Sequence, residues 1–358
     1  MRDMISTAVA QGNSGTGALS GDSEISGAQT LGGSVTAQSL LSANGVWASV
    51  VSTATAQGNA LTAGVEDGAL SLDLNQTAGA GQVSALSRLR ISDYAAHTVQ
   101  TASSAVNAIQ TSAEGGQTLS IRQASAADSR AEARVEAADA EIETSVVGAV
   151  AAGNSLISTV EDEDSSLTLD QSQTGSTTAT AHAEIGNADY GVTAASQAAG
   201  NTATFQNDYG DSETGGVQNN SGEVRAETVI LADQFANGYA TGSANAVGNS
   251  ALTSTIGANT YQGVQQTNSG DVIANVTMTG GAGGGLGSIL NATAIGNAQS
   301  AYVCASCPVG VSGEINQINS GAISASSVTT HAGQVRTITS SATAVGNAAT
   351  FATQNRGN

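Results

Sequence analysis

The sequence predicts an all-β fold of the β-solenoid (β-helix) type, and three observations carry the prediction. Two short motifs recur with one shared period near 48 residues. The residues between them alternate apolar and polar, which is the period of a strand. The composition is that of a thin core repeated many times: 44 Gly, a single Pro and only 3% aromatic residues in 358. An ordinary core of this length leans on Phe, Tyr, Trp and Leu, because each buries much apolar area. Here the apolar residues are mostly Ala and Val, which pack well only where backbones come close together.

The first motif is a Gly-Asn pair after alternating Ala. It stands at Gly12-Asn13, Gly58-Asn59, Gly153-Asn154, Gly200-Asn201, Gly248-Asn249, Gly296-Asn297 and Gly346-Asn347. Successive gaps are 46, 95, 47, 48, 48 and 50, and a degenerate copy around Asn107 fills the double gap. Gly186-Asn187 falls out of step. The second motif is clearest as "QNNSGEVRA" from Gln218, "QQTNSGDVIA" from Gln265 and "NQINSGAISA" from Asn316. Its central glycines, Gly33, Gly81, Gly175, Gly222, Gly270 and Gly321, keep the same beat. Such self-similarity is the mark of a tandem array.

Gly and Asn accept positive φ cheaply, so both motifs are expected to mark corners of the coil. The segments between them, such as "VRAETVILA" and "SATAVGNAATFATQN", are expected strands. "SRAEARVEAADAEIE" from Ser129 tests this reading. Its Ala, Glu and Arg are good helix formers, and a helix is the competing reading. Yet Ala131, Ala133, Val135 and Ala137 alternate strictly with Arg130, Glu132, Arg134 and Glu136. Arg130-Ala131-Glu132 also precedes Arg225-Ala226-Glu227 by 95 residues, two periods.

Each repeat of about 48 residues is expected to supply two rungs of about 24, stacked at about 4.8 Å. About fifteen rungs would give a rod on the order of 70 Å. Asn and Gln at equivalent positions are expected to ladder along the axis, each amide bonding the next. The whole chain, 1–358, reads as one array that starts in mid-repeat ("MISTAVAQGN"), with an irregular loop over 279–313. An export signal is expected to lie outside this chain, since "MRDMISTAVAQGN" has no apolar core. No stretch is long and apolar enough to cross a membrane as a helix.

Net charge is -20, with no Lys; all basic residues are Arg. Such a surface repels nucleic acid and anionic lipid. Of the 29 acids, 19 lie between Asp128 and Asp233, and only Glu314 follows Asp271. The C-terminal third is therefore nearly neutral, and it is expected to pack against a partner subunit or a glycan.

Motifs with chemistry are sparse. Cys304 and Cys307 in "CASCP" have the Cys-x-x-Cys spacing, but zinc needs two more ligands, and His97, His182 and His331 fall in different repeats. A small disulfide between Cys304 and Cys307 is the expectation; no catalytic, cofactor-binding or metal residue is assigned, and no cofactor is expected. "EDED", Glu161 to Asp164, reads as a solvated acidic turn, with calcium the alternative. "TGGAGGGLG" from Thr279 lacks the Lys-Ser/Thr of a phosphate loop and reads as a loop leaving the rod. Trp47, Tyr190, Tyr209, Tyr239, Tyr261 and Tyr302 form no evident stripe, so glycan contacts are expected to be polar and repeated.

"QINSGAISA" followed by "ATAVGNAA", repeated along an acidic chain rich in Ala, Thr and Asn, resembles the holdfast anchor proteins of stalked alphaproteobacteria, the HfaD type. The resemblance spans nearly the whole chain, from about Ala8 to Asn355. It implies a non-enzymatic protein exported to the outer membrane and cell surface. There it would help tie an adhesive polysaccharide, the holdfast, to the envelope. A curlin-like small subunit and an outer-membrane channel lipoprotein are the implied partners. A curli-like self-assembling fibre subunit is the alternative. A β-helical polysaccharide lyase would need acids clustered with Lys or Arg in a cleft. An ice-binding module would need Thr rows at one place in every rung. Neither is visible.

Overall fold

The computed structural model describes residues 3–305 and 309–355. Strands make up 87% of the described residues, and no helix occurs among them. Seventeen strands alternate long and short. The long ones are β1 (Met4–Ser20), β3 (Val35–Glu66), β5 (Gln82–Ala113), β7 (Asp128–Glu161), β9 (Thr177–Asp208), β11 (Val224–Ile256) and β13 (Val272–Ala305). The short ones are β2 (Ser23–Leu31), β4 (Leu70–Ala78), β6 (Gln117–Ser125), β8 (Ser165–Gln173), β10 (Ser212–Asn220) and β12 (Thr260–Asn268). The last coil is broken into β14 (Val311–Gly313), β15 (Asn316–Asn319), β16 (Ile323–His331) and β17 (Val335–Asn355).

All pairing is parallel. The long strands form one sheet in the order β1-β3-β5-β7-β9-β11-β13-β16, with β17 beside β13; the short strands form the other. The chain is thus a solenoid, in which each strand lies on its own equivalent in the next repeat. "SRAEARVEAADAEIE" is strand, and Arg130 pairs with Thr178, which pairs with Arg225. The two-period alignment holds.

The expectation of two rungs per repeat is corrected. Val50 pairs with Thr98, and Ala226 with Ala274, a full repeat apart. Each repeat is one wide coil. The long strand is bent: register shifts between Ala232 and Tyr239 fold its first nine residues back over the rest. Thr228 Oγ1 donates to the Ser243 carbonyl across that fold at 2.6 Å, and Ser39 meets Ser52 at 2.7 Å. The return limb then runs on for about 17 residues, about 55 Å at the rise of an extended strand. The short strand comes back against its far half, where Gln218 Nε2 donates to the Ser250 carbonyl at 2.9 Å. With eight levels, the stack rises only about 35 Å. The molecule is a flat slab with two broad faces and two edges, rather than a long rod.

The interior holds two apolar seams. The larger, mostly Ala and Val, lies inside the bent long strand and includes Val83, Ala131, Ala181 and Ala226. The smaller lies beneath the short strands and is built from Leu70, Leu72, Leu119, Leu167, Leu169 and Phe205, among others. In later coils its place is taken by buried Thr214, Thr253, Thr255 and Thr260.

Amide ladders divide the seams, as the motifs predicted. Asn13, Asn59, Asn107, Asn154, Asn201, Asn249, Asn297 and Asn347 form one column, each Nδ2 donating to the next Oδ1 at 2.7–2.8 Å. Opposite stand Gln29, Gln76, Gln123, Gln171, Gln218, Gln266 and Gln317, whose Nε2 atoms donate backwards to the preceding Oε1 at 2.7–2.8 Å. The columns interlock. Asn201 gives its second N–H to the carbonyl of Asn219, which follows Gln218. Gln171 gives its second N–H to the carbonyl of Thr202, which follows Asn201. This satisfies the buried amides and clamps the two faces together.

The Gly-Asn glycines are not corners. Gly58, Gly200 and Gly248 lie within long strands, and none has positive φ. Glycine is needed there for clearance: a Cβ on Gly248 would fall 2.5 Å from both Asn268 Oδ1 and the Gly296 carbonyl. The Asn-Ser-Gly motif is a corner, joining β10 to β11. A Cβ on Gly222 would meet the Gly175 carbonyl at 1.9 Å, so these glycines also line up along the axis. The left-handed turns lie at the far edge, at Gly21, Asp67, Asp162, Tyr209 and Gly257.

The irregular loop expected over 279–313 is corrected over 279–305, while 306–308 lie outside the described residues. β13 runs through to Ala305, and the glycine run forms part of its bend. A Cβ on Gly285 would lie 2.0 Å from the ring of Phe235, which is fully buried. The glycines make room for that ring.

Candidate functional site: an aromatic and acidic edge

The bend of each long strand breaks the alternation, and side chains there form an edge. The short residue runs at the bend differ from coil to coil, which is why no periodic signal marks them. The structure stacks them all the same. Tyr94 pairs with Gly45 on one side and Glu141 on the other, and Tyr239 pairs with Gly191 and Gly287. Trp47, Tyr94, Tyr190 and Tyr239 therefore stand on one edge, on four coils, over about 20 Å of axis. Of the six aromatics named from the sequence, Trp47, Tyr190 and Tyr239 thus share an edge with Tyr94, which no motif singles out, whereas Tyr209, Tyr261 and Tyr302 lie off it.

Trp47 and Tyr94 have ring centroids 5.1 Å apart, tilted by 39°. Trp47 is nevertheless 78% exposed and Tyr190 61%. The Tyr94 hydroxyl donates to Glu143 Oε1 at 2.5 Å. That bond, with burial and the nearby charges of Glu143, Glu141 and Asp189, pushes the phenol up to about 12. Asp93 and Asp233 complete a carboxylate row on this edge.

Positive charge is spent elsewhere. Glu136 is held by Arg88 at 2.6 Å, Arg90 at 3.0 Å and Arg134 at 2.6 Å. Burial works to raise its carboxyl, but the bonds from Arg88 and Arg90 and the Arg134 charge hold it below the usual range. Arg122 pairs with Asp170, Arg130 with Glu132 and Arg225 with Glu223. His182 lies beside this network; burial and then the Arg134 charge lower its pKa.

The opposite edge carries the turns. Glu161 to Asp164 form one of them, with Asp162 left-handed. Asp164 Oδ1 accepts the Asp211 N–H at 2.9 Å, and Asp211 Oδ1 accepts the Asn259 N–H at 2.8 Å. These acids cap the next coil. Beside them lies a shallow groove of about 410 Å³, lined by Asp164, Asp211, Glu213, Asn259, Tyr261 and Ser312. No group of three or more His, Cys, Asp or Glu is placed to hold a metal among the described residues. His97 meets Thr144 at 2.7 Å, and His331 closes the last coil over Phe235; the three His stay apart. Cys304 ends half-buried in β13, and Cys307 lies outside the described residues, so the pairing of the two is not addressed.

This architecture defines a class: a parallel β-solenoid with a flat, acidic, Arg-paired surface and aromatic residues gathered on one edge. The chain belongs to the HfaD family, holdfast attachment protein D, which it matches over residues 1–271. The stacked coils continue beyond that stretch through β13 and a last coil broken into β14 to β17. No curated protein and no solved structure matches the chain.

Proposed function

We propose that this protein is a non-enzymatic component of the cell surface that anchors an adhesive polysaccharide, the holdfast, to the outer envelope. Membership of the holdfast attachment family is the observation that carries the reading. The structure supports it physically. A slab of near-identical coils offers the same polar surface many times over, and many weak contacts add up to strong retention without a deep pocket. Many of the buried amides sit in ladders, and the acid with the most cationic neighbours among the described residues, Glu136, is tied by three Arg. An outer-membrane channel lipoprotein and a curlin-like subunit are the proposed envelope partners.

The test is genetic. Deleting the gene in a holdfast-bearing strain should leave the polysaccharide made but shed into the medium, and the intact gene should restore retention. Undiminished retention by the deletion strain would refute the reading. A second reading, a self-assembling fibre subunit, is favoured by one observation: the in-register Asn and Gln ladders between parallel coils are the contacts that stacked, identical strands use in fibres. Thioflavin-positive fibres of the purified chain would speak for it.

A further inference from the structure

We propose that the bent edge from Trp47 to Tyr239 binds a polysaccharide that carries protonated amino groups. The inference rests on the anchoring function above and names the glycan chemistry for it.

The first argument is the cost of exposure. Aromatic residues are 3% of this chain, and four of them stand on one edge. Trp47 and Tyr190 are more than half exposed although the fold has room for buried rings, as Phe205 and Phe235 show. Exposed, rigid, amphipathic rings in a row are what a binding surface uses. The Tyr239 ring also lies over Gly287 on the next coil, which explains part of its placement. Trp47 leans on Tyr94 and is still 78% exposed.

The second argument is charge. Asp93, Glu141, Glu143, Asp189 and Asp233 interleave with the rings. Among the described residues, Arg88, Arg90, Arg122, Arg130, Arg134 and Arg225 are each engaged by a carboxylate outside this row, Arg90 at the foot of the bend, and Arg336 stands two coils beyond Tyr239. The row is therefore a surplus of negative charge beside π faces. An ammonium group fits both: it is drawn to the face of Trp or Tyr and bonds a carboxylate at the same time. A neutral sugar uses only the rings, and an acidic one is repelled. The carbon-bound hydrogens of a sugar ring can lie on Trp47 or Tyr190 while its amine reaches the neighbouring acid. A polymer lying along the edge can meet Trp47, Tyr94, Tyr190 and Tyr239 in turn, with Glu141 and Glu143 of the β7 coil between them.

The test uses the full chain and two probes of equal length, a hexamer of β-1,4-linked glucosamine and its fully N-acetylated form, titrated by calorimetry. The amine hexamer should bind the wild type, with affinity falling as salt rises. Trp47→Ala/Tyr190→Ala should bind it about tenfold more weakly or worse, as expected when central aromatic contacts are lost. Tyr209→Ala/Tyr261→Ala, on the opposite edge, should bind as the wild type does. The N-acetylated hexamer should bind at least tenfold more weakly than the amine. Equal binding of the two hexamers, or an unchanged Trp47→Ala/Tyr190→Ala variant, overturns the inference, as does a wild type that binds neither. Should the double variant misfold by circular dichroism, Trp47→Ala alone gives the same readout. Holdfast retention in cells is scored separately, so failure here leaves the anchoring reading to its own test.

Discussion

Asn201 shows what a single residue does in this fold. Its Nδ2 bonds Asn249 Oδ1 and the Asn219 carbonyl, while its Oδ1 receives Asn154. Replacing it with Ala strands a buried donor and a buried acceptor, at about 1–3 kcal/mol for each group left unpaired. The expected result is a clear drop in the urea midpoint of unfolding for Asn201→Ala, with Gln206→Ala, on the exposed side of the same strand, close to wild type. Gly248→Ala should be as harmful for a different reason, since its Cβ has no space beside Asn268 and Gly296. The motif as written in the sequence was legible here; its meaning was not. The sequence reading took Gly-Asn for a turn, because the residue types suit one, but the pair sits in mid-strand where two sheets are clamped. Residue type reports tolerance of a conformation, whereas clearance depends on the neighbouring coil.

At the scale of the element, the first limbs of β5, β7 and β9 carry the charged column that the alternating pattern predicted on one side of the strand. The pattern could not say that Arg88, Arg90 and Arg134 would converge on Glu136, because that depends on which strands are neighbours. The consequence is a pH effect with a definite sign. Glu136 has its pKa lowered in the fold, so its contribution is present above the ordinary Glu range and is lost as pH falls through the lowered value. Amide protection factors in these limbs, which remove the intrinsic pH dependence of exchange, should therefore fall on acidification in the wild type. Glu136→Gln should exchange faster at neutral pH and lack that extra acid dependence; an identical pH profile for both would remove the network from the account of stability. The bends of the same strands were the least legible elements. Their residues, from Asn44–Ser49 to Gly281–Gly287, share neither length nor composition, so no repeat signal exists there to find.

At the scale of the molecule, one coil per repeat sets both shape and register. Excising 178–224 joins Thr177 to Arg225, and Thr177 pairs with Val224, so every later strand keeps its partner positions. The shortened chain should fold with one level fewer and a strand-type dichroism spectrum. Excising 201–224, the length of one expected half-repeat, joins the middle of a return limb to a first limb and should abolish cooperative folding. If both deletions fold equally well, the wide coil described above is wrong. The same width gives the proposed anchoring role its platform, since two faces and two edges run the height of the stack.

The sequence by itself determined the period, the strand content, the ladder positions of Asn and Gln and the surplus of acid, because each is a property of spacing or of residue type along one chain. It also carried the family resemblance that the match over 1–271 bears out. Only the tertiary structure decided that two motifs about 24 residues apart face each other across one coil, instead of stacking in successive ones. Likewise, only the stacking brought Trp47, Tyr94, Tyr190 and Tyr239 to a common edge. The reason is the same in both cases. A bend in an otherwise regular strand leaves no periodic trace, yet it chooses which stretches of chain meet.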